Sequence, residues 1–220
     1  MKRFAELFDA LDATTATSEK VALLRSYFLL PHRLLNRGFG RLMEKTRPRW
    51  AVRAAIALWV RRARLALDDF EPGPFASVQE FFLRRLREGA RPIQSGFVSP
   101  ADARIVAAGP LRADTILEVK GHKLSLPRVL NGRAAASALP PLSLQRYLGG
   151  HFAVLFLSPR GYHRMHMPAM GNVTEWRWLP GRFFPQNEAA LRRISGVYER
   201  NERVVLRCER AAADEFVMVL

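Results

Sequence analysis

The chain has 220 residues, of which 49% are hydrophobic and 25% are charged, so it is long and apolar enough to bury one sizeable core. This composition excludes an intrinsically disordered chain. The 35 Lys and Arg residues outnumber the 20 Asp and Glu residues and give a formal net charge of +15. Such a surplus favours an anionic partner, either a nucleic acid or a membrane surface. Cys208 is the only cysteine, which excludes an intrachain disulfide framework and a CxxC zinc site.

Arginines interrupt every apolar run, including the one at 51–60, before it reaches the roughly 18 residues that a membrane-spanning helix needs. The sequence therefore predicts no transmembrane helix. Acidic residues follow the opening Met1, Lys2 and Arg3, whereas secretory signals and transit peptides avoid acidic residues in this region. We therefore expect a cytoplasmic location.

Residues 1–70 are predicted to be helical, because apolar side chains recur there at helical spacing and no strand pattern occurs. Basic residues concentrate in the second half of this region. The segment 31–67 holds ten of them and a single acid, Glu44. This segment supplies most of the charge excess.

On a helical wheel, Val52, Ile56, Trp59 and Ala63 share one face of the basic segment, and arginines gather opposite them. One interpretation is an interfacial helix whose apolar face enters lipid while the guanidinium groups lie at phosphate level. The other is a helix packed on the protein's own core with a solvated basic back. One-sided charge and two tryptophans favour lipid. The membrane-contacting residues would then be Trp50, Arg53, Ile56, Trp59 and Arg61.

A turn-rich segment at 71–74 predicts a boundary near residue 72, and a short helix is expected over 78–87. Beyond Pro92, short β-like runs are predicted at 104–108, 116–119, 152–157, 173–178, 204–208 and 216–220. The expected fold class is α+β. A helical membrane-docking region at 1–72 would precede a β-rich catalytic core at 73–220 that is incomplete at its C-terminus.

His163 and His166 lie in a polar loop after an apolar strand, a position where folds often expose catalytic groups. An imidazole can accept and release a proton near neutral pH, so two of them could share the proton transfers of one reaction. A metal site is a weaker alternative, because no acidic residue lies in the motif. A pair of loop histidines satisfied by hydrogen bonds is the plainest alternative.

Asp102 opens the predicted strand at 104–108, where its carboxylate could orient a histidine as the acid of a Ser-His-Asp arrangement does. An ordinary turn aspartate after Pro100 is the alternative. Lys120 follows a strand and either binds an anion or caps the strand edge. Tyr162 and Lys120 are predicted as substrate-binding residues.

Six sequence blocks occur in one order and resemble the phosphatidylserine decarboxylase family. They are FFLRRL at 81–86 with RPI at 91–93, SPAD at 99–102, VKGHKLSL at 119–126, LSPRGYHRMHMP at 157–168, LPG at 179–181 and NER at 201–203. The resemblance covers roughly residues 29–220. It implies a proenzyme with amphipathic N-terminal helices that lies peripherally on the cytoplasmic face of the cell membrane.

In that family a serine of a Gly-Ser pair cleaves the preceding peptide bond and becomes an N-terminal pyruvoyl group. This ketone forms a Schiff base with the phosphatidylserine amine and acts as the electron sink while CO2 leaves, which yields phosphatidylethanolamine. The resemblance implies that Asp102 and His166 activate the serine. It also implies that His163 serves the decarboxylation step.

None of the fourteen glycines precedes a serine, so the pyruvoyl precursor is expected outside this chain, in an α subunit cut from the same proenzyme. The chain alone is predicted to be inactive. Its expected partners are phosphatidylserine, an anionic membrane surface and that α subunit, and a homodimer is compatible with this interpretation. An inactive fragment that only binds anionic lipid is the first alternative. Nucleic-acid binding is disfavoured, because no single-strand platform or helix-turn-helix pattern is evident.

Overall fold

The computed structural model describes residues 32–112, 117–119, 122–132, 140–184, 186, 194–211 and 214–220. The chain divides into two compact units. The helical unit comprises residues 33–105 and 155–170, and the sheet unit comprises the described parts of 106–154 and 171–220. Helices and antiparallel strands are both present, so the predicted α+β class is confirmed. The functional division at residue 72 stays a prediction, and the helices predicted within 1–31 lie outside the described residues.

Two helices open the described chain, α1 at His32–Met43 and α2 at Arg49–Ala63. Pro48 stands at the N-cap of α2, where a missing N–H costs nothing because the first helical N–H groups lack intrahelical partners. At the other end, Arg64 adopts a left-handed backbone (φ +50°), and its N–H donates to the carbonyl of Val60. Both helices fall within the region predicted to be helical.

Helix α3 spans Val78–Phe82, and two side-chain hydrogen bonds cap its N-terminus. The Ser77 hydroxyl accepts a hydrogen bond from the Glu80 N–H at 3.0 Å, and the Glu80 carboxylate accepts one from the Ala76 N–H at 2.5 Å. The helix ends earlier than the predicted residue 87. After Phe82 the chain becomes extended and pairs with 69–71, so the backbone N–H and carbonyl groups of 85–87 bond to that segment instead of continuing the helix.

In the described part of the chain, seven strands form three sheets. Strand β1 (Arg104–Pro110) pairs with β4 (His151–Phe156), and β2 (Leu117–Val119) forms a hairpin with β3 (His122–Leu124). An antiparallel three-stranded sheet follows the order β5 (Asn172–Leu179), β6 (Arg203–Ala211), β7 (Asp214–Val219). A strand is present at each of the six predicted positions. The sequence analysis missed β3 and the short helices, which are α4 (Leu126–Asn131), α5 (Val197–Arg200) and the 3-10 turn Leu144–Tyr147.

The three-stranded sheet has one covered and one open face. Leu179 and Val205 pack with Leu130 of α4 in the core of the sheet unit and are about 1% exposed. On the opposite face of β5, Trp176 and Trp178 are 65% and 54% exposed. The alternation follows from the two-residue period of a strand.

Gly181 brings two of the sequence blocks together. A Cβ atom at this position would lie 2.3 Å from the backbone nitrogen of Glu202, closer than any side chain can approach. The adjacent Arg182 exchanges backbone hydrogen bonds with Arg200 and Glu202 at 2.8 and 2.9 Å. Glycine is therefore needed in the LPG block because the NER block packs directly on its backbone.

Candidate active site

The histidine loop at 157–168 belongs to the helical unit, where it lies along the segment that carries Asp102. The N–H of His166 donates to the carbonyl of Pro100 at 2.7 Å, and the N–H of Val98 donates to the carbonyl of Pro168 at 2.8 Å. These two backbone bonds hold the SPAD block against the histidine block. Residues 66 and 70 positions apart in sequence thus become neighbours.

His163 has a fixed ring orientation. Its Nε2 lies 2.8 Å from the carbonyl oxygen of Ser158, and its ring stacks on Phe82 with 4.0 Å between centroids. A carbonyl only accepts, so Nε2 carries the hydrogen and Nδ1 holds the free lone pair. Burial lowers the pKa of His163, since an apolar environment disfavours the imidazolium. Near neutral pH the residue therefore presents Nδ1 as a proton acceptor.

His166 pairs with Tyr162. The Tyr162 hydroxyl lies 2.8 Å from Nε2 of His166, and the two rings stack with centroids 5.5 Å apart. Tyr162 is only 5% exposed, and burial raises the pKa of its phenol, so the hydroxyl stays protonated across the physiological range. The tautomer of His166 decides which member of the pair donates. Tyr162, predicted as a substrate-binding residue, contacts the predicted base directly.

The carboxylate of Asp102 is held by Arg91. Nη2 of Arg91 lies 2.8 Å from Oδ2, and Nε donates to both carboxylate oxygens at 3.0 and 3.1 Å. A third nitrogen, Nη1, donates to Asp69 at 2.9 Å. These two carboxylates raise the pKa of Arg91, which stays charged. Arg91 thus bridges two acidic residues.

Among the described residues, no hydrogen bond joins Asp102 to His166. The carboxylate lies close enough to Tyr162 for its charge to raise the pKa of that phenol, after the larger effect of burial. The structure therefore brings Asp102, Tyr162 and His166 into one neighbourhood, with Tyr162 bonded to the histidine. The direct Asp102–His166 interaction stays a prediction.

Helix α2 directs its predicted apolar face toward the protein. Val52 is buried, and Trp59 packs edge-to-face on Phe81 and stacked on Phe82, with centroids 5.6 and 5.8 Å apart. This is the second of the two interpretations of the basic helix. Ile56, on the same face, is half-buried, whereas Trp50, Arg53 and Arg61 are exposed.

Lys120 lies outside the described residues, so its predicted substrate contact stays a prediction. Cys208 is a buried thiol whose pKa is raised by burial, which keeps it protonated. Within the described part of the chain, no cluster of three or more His, Cys, Asp or Glu side chains could hold a metal ion. No described helix is long and apolar enough to cross a bilayer.

Comparison with known proteins places these residues in a family. A sequence model described as phosphatidylserine decarboxylase matches residues 78–220. That range includes Asp102, Tyr162, His163 and His166. The chain belongs to the phosphatidylserine decarboxylase family. The resemblance of the six sequence blocks is thereby confirmed.

Three relatives show how much of the chain the decarboxylase similarity covers. A phosphatidylserine decarboxylase proenzyme of Azoarcus sp. is 37% identical over 207 residues, which cover 92% of this chain and 68% of that protein. Proenzymes of Pseudomonas fluorescens and Pseudomonas aeruginosa are 34% and 36% identical, covering 84% and 82% of this chain and 64% and 62% of those proteins. The chain thus spans about two thirds of the length of these relatives.

The sequence analysis missed four side chains of this candidate site. Arg91 holds Asp102, Arg84 bonds to the histidine loop, Phe82 stacks on His163, and Asp69 shares Arg91. Three of the four lie in the FFLRRL and RPI blocks, which the analysis used only as marks of resemblance. The sequence did offer a signal for Arg84, which lies in an apolar run. An arginine that is buried with such a run needs hydrogen-bond acceptors nearby.

Proposed function

We propose that this chain is the β-chain portion of a phosphatidylserine decarboxylase proenzyme, which converts phosphatidylserine to phosphatidylethanolamine and CO2. The neighbourhood of Asp102, Tyr162, His166 and His163 within one compact unit carries the proposal, together with the family match. The pyruvoyl group would come from a serine outside this chain and would supply a ketone electrophile that accepts electrons as CO2 leaves. The residues present fit such a group, because the imidazoles of His163 and His166 offer proton-transfer atoms.

His166 is the proposed base for self-cleavage. Its Nε2 contacts the Tyr162 hydroxyl, and its backbone is bonded to the segment that carries Asp102. A neutral imidazole held in this way can take the proton of an incoming serine hydroxyl, and a nearby carboxylate stabilises the imidazolium that forms. Asp102 is the proposed source of that stabilisation.

His163 is the proposed proton-transfer residue of the decarboxylation. Loss of CO2 leaves a carbanion equivalent that must be protonated, and Nδ1 of His163 is the atom that can carry that proton. The lowered pKa of this residue suits a group that accepts and releases a proton in each cycle.

Mass spectrometry of self-cleavage tests the proposal. The gene would be expressed together with whatever coding sequence follows residue 220, and the products weighed. We expect two fragments, and the mass of one of them should be that of a chain whose N-terminal serine has become a pyruvoyl group. His166→Ala should leave the chain intact, whereas His163→Ala should allow cleavage but abolish decarboxylation. An uncleaved wild-type chain with an unmodified serine at the junction would refute the proposal.

We also propose a peripheral membrane location, on the cytoplasmic face, through the outer surfaces of α1 and α2. The exposed apolar side chains Leu34 and Leu42 of α1 and Trp50 and Leu58 of α2 support it, with exposures of 66%, 51%, 74% and 58%. Exposed arginines lie on the same helices. An apolar stripe flanked by guanidinium groups suits an anionic interface. This surface is also the one that the alternative function, lipid binding without catalysis, would use.

For the α-subunit partner, the open sheet face with Trp176 and Trp178 is the proposed contact. The relatives carry about a third of their length outside the match, since 62–68% of each is covered. Two neighbouring exposed tryptophans are typical of a surface that a partner covers. The test is the double variant Trp176→Ser and Trp178→Ser, in which less of the cleaved fragment should co-elute with this chain in gel filtration. Unchanged co-elution would exclude this face.

A further inference from the structure

Arg84 is a buried cation without an acidic partner. It is 2% exposed, and no carboxylate pairs with it in the part of the chain that the structure describes. Burial lowers the pKa of Arg84, with no compensating charge. Burying a guanidinium is costly unless its donors are satisfied, so the contacts that keep it in place are informative.

Those contacts lead to the histidine loop. Nη2 of Arg84 donates to the carbonyls of Arg160 and Gly161 at 3.1 and 3.0 Å, and Nη1 donates to the carbonyl of Phe81 at 3.2 Å. The guanidinium also lies over the ring of Phe70, 4.1 Å from its centroid. One side chain therefore ties the end of α3 to the two residues that precede Tyr162 and His163.

Two further contacts join the same segments. The ring of Phe82 stacks on His163 at 4.0 Å, and Nε of Arg164 donates to the carbonyl of Leu83 at 2.7 Å. Helix α3 is itself anchored by Phe81, which is fully buried against Trp59 and Phe75. The loop thus has three attachments to a well-packed helix end, and Arg84 is the most buried of them.

We propose that Arg84 is a positioning residue for His163: by fixing the carbonyls of 160 and 161 it holds the imidazole between Phe82 and the Ser158 carbonyl, which assigns proton transfer to Nδ1. This role rests on the proposed function of His163. Without Arg84 the loop would lose its buried attachment, and Nε2 of His163 would no longer be committed to the Ser158 carbonyl. Either ring nitrogen would then carry the hydrogen.

The electrostatics at His163 agree with this role. Burial is the largest influence and lowers its pKa, the bond to the Ser158 carbonyl raises it, and the positive charge of Arg84 lowers it further. Loss of Arg84 would therefore favour the imidazolium. Arg84 thus orients the ring and adds to the larger effect of burial, which favours the neutral form of His163.

Imidazole NMR of the 15N-labelled 220-residue chain tests the proposal, with the His163 signals assigned from a His163→Gln variant. In the wild type we expect Nε2 to carry the hydrogen and Nδ1 to be unprotonated at neutral pH. Arg84→Met should give a mixture of tautomers and raise the His163 pKa by about half a pH unit or more. Arg84→Lys keeps a charge but lacks the planar fork, so it should also lose the single tautomer while its pKa rises less.

Arg85→Met is the matched control, because Arg85 is the exposed neighbour of Arg84 and should leave the His163 signals unchanged. If Arg84→Met does not fold, judged by circular dichroism, the Arg84→Lys spectra decide. A wild-type His163 with its hydrogen on Nδ1, or a single wild-type-like tautomer in a folded Arg84 variant, would overturn the proposal. The titration needs no decarboxylase activity, so it fails or succeeds independently of the proposed function.

Discussion

Arg91 binds the carboxylate of Asp102 through two nitrogens, with Nη2 at 2.8 Å and Nε at 3.0 Å from Oδ2. From the described residues Oδ1 accepts a single, longer bond, at 3.1 Å, so it keeps acceptor capacity for a further N–H. Asp69 restrains the same guanidinium from the other side at 2.9 Å. The carboxylate of Asp102, which is proposed to assist the base His166, is therefore oriented by an arginine from the RPI block.

Removing Arg91 should slow self-cleavage more than it destabilises the fold. Arg91 and Asp102 are both partly exposed, so the pair adds at most about 1 kcal/mol to stability after solvent screening. Without the guanidinium the carboxylate is free to rotate, and we expect Arg91→Ala to slow cleavage about tenfold or more. The rate is measured from the time course of fragment formation in the protein expressed with its following coding sequence.

Two variants serve as references for Arg91→Ala. Asp69→Asn removes the second bridge but leaves the bonds to Asp102, so its effect on the rate should be smaller. Arg85→Ala removes an exposed arginine of the preceding block and should have none. A wild-type cleavage rate in Arg91→Ala would show that Arg91 does not orient Asp102.

Tyr162→Phe should impair His166 without disturbing the core. The substitution removes one hydroxyl, 2.8 Å from Nε2 of His166, and keeps the buried ring that packs near Phe70. The unfolding free energy should fall by no more than about 1.5 kcal/mol, whereas cleavage should slow about tenfold because the imidazole loses its orienting contact. Chemical denaturation and the cleavage time course measure the two effects.

Tyr198→Phe, in the sheet unit, is the reference for loss of a tyrosine hydroxyl elsewhere and should cleave at the wild-type rate. Equal rates in Tyr162→Phe and the wild type would mean that the Tyr162 hydroxyl has no part in activating His166.

The two tryptophans of α2 should behave in opposite ways. Trp59 packs on Phe81 and Phe82, so Trp59→Ala should lower the unfolding free energy by about 2 kcal/mol or more. Trp50 is 74% exposed, so Trp50→Ala should change stability by less than about 0.5 kcal/mol but weaken binding to phosphatidylserine-containing vesicles several-fold. Guanidinium unfolding and vesicle flotation report the two effects.

Trp178→Ala is the control for the vesicle experiment, because Trp178 is an exposed tryptophan of the sheet unit that lies away from the basic helices in sequence. Flotation of the Trp50→Ala variant equal to that of the wild type would remove α2 from the proposed membrane surface.

Stability should depend on pH through Glu215 of β7. Burial by itself would raise its pKa, but the hydrogen bonds from Arg207, at 2.7 and 2.9 Å, contribute to a net lowering. A carboxylate with a lowered folded-state pKa stabilises the fold above the unfolded-state value, near pH 4.3, and this contribution disappears as the pH falls through the folded-state pKa. The stability difference between the wild type and Glu215→Gln should therefore shrink below about pH 4.

Urea unfolding between pH 6 and pH 3 measures that difference. Glu209→Gln is the matched control, since Glu209 contacts the same arginine at 3.3 Å but is 48% exposed, and its difference from the wild type should be smaller throughout. A pH-independent gap between the wild type and Glu215→Gln would contradict the prediction.

The strand positions could be predicted from the sequence because they depend on local patterns. Each predicted strand is an apolar or alternating run bounded by Gly, Pro or polar residues. The two-residue period of a strand then fixes which of its side chains share a face. Strand β3 was missed because only one of its three residues, Leu124, is apolar, and the strand exists by pairing with β2. Helix α3 was predicted too long because the bonds of 85–87 to 69–71 are non-local.

The candidate site, too, could be predicted from the sequence only in part. The sequence by itself singled out two histidines and one aspartate as candidates for the chemistry, because those residue types and their order are a property of the chain, and it predicted that α2 would be two-sided. Only the tertiary structure decided that the inner face of α2 lies on Phe81 and Phe82, that Arg91 holds Asp102, and that Arg84 is buried against the histidine loop. Each of these depends on a partner distant in sequence, and a charged side chain is buried only where the folded backbone supplies acceptors for all but a few of its donors.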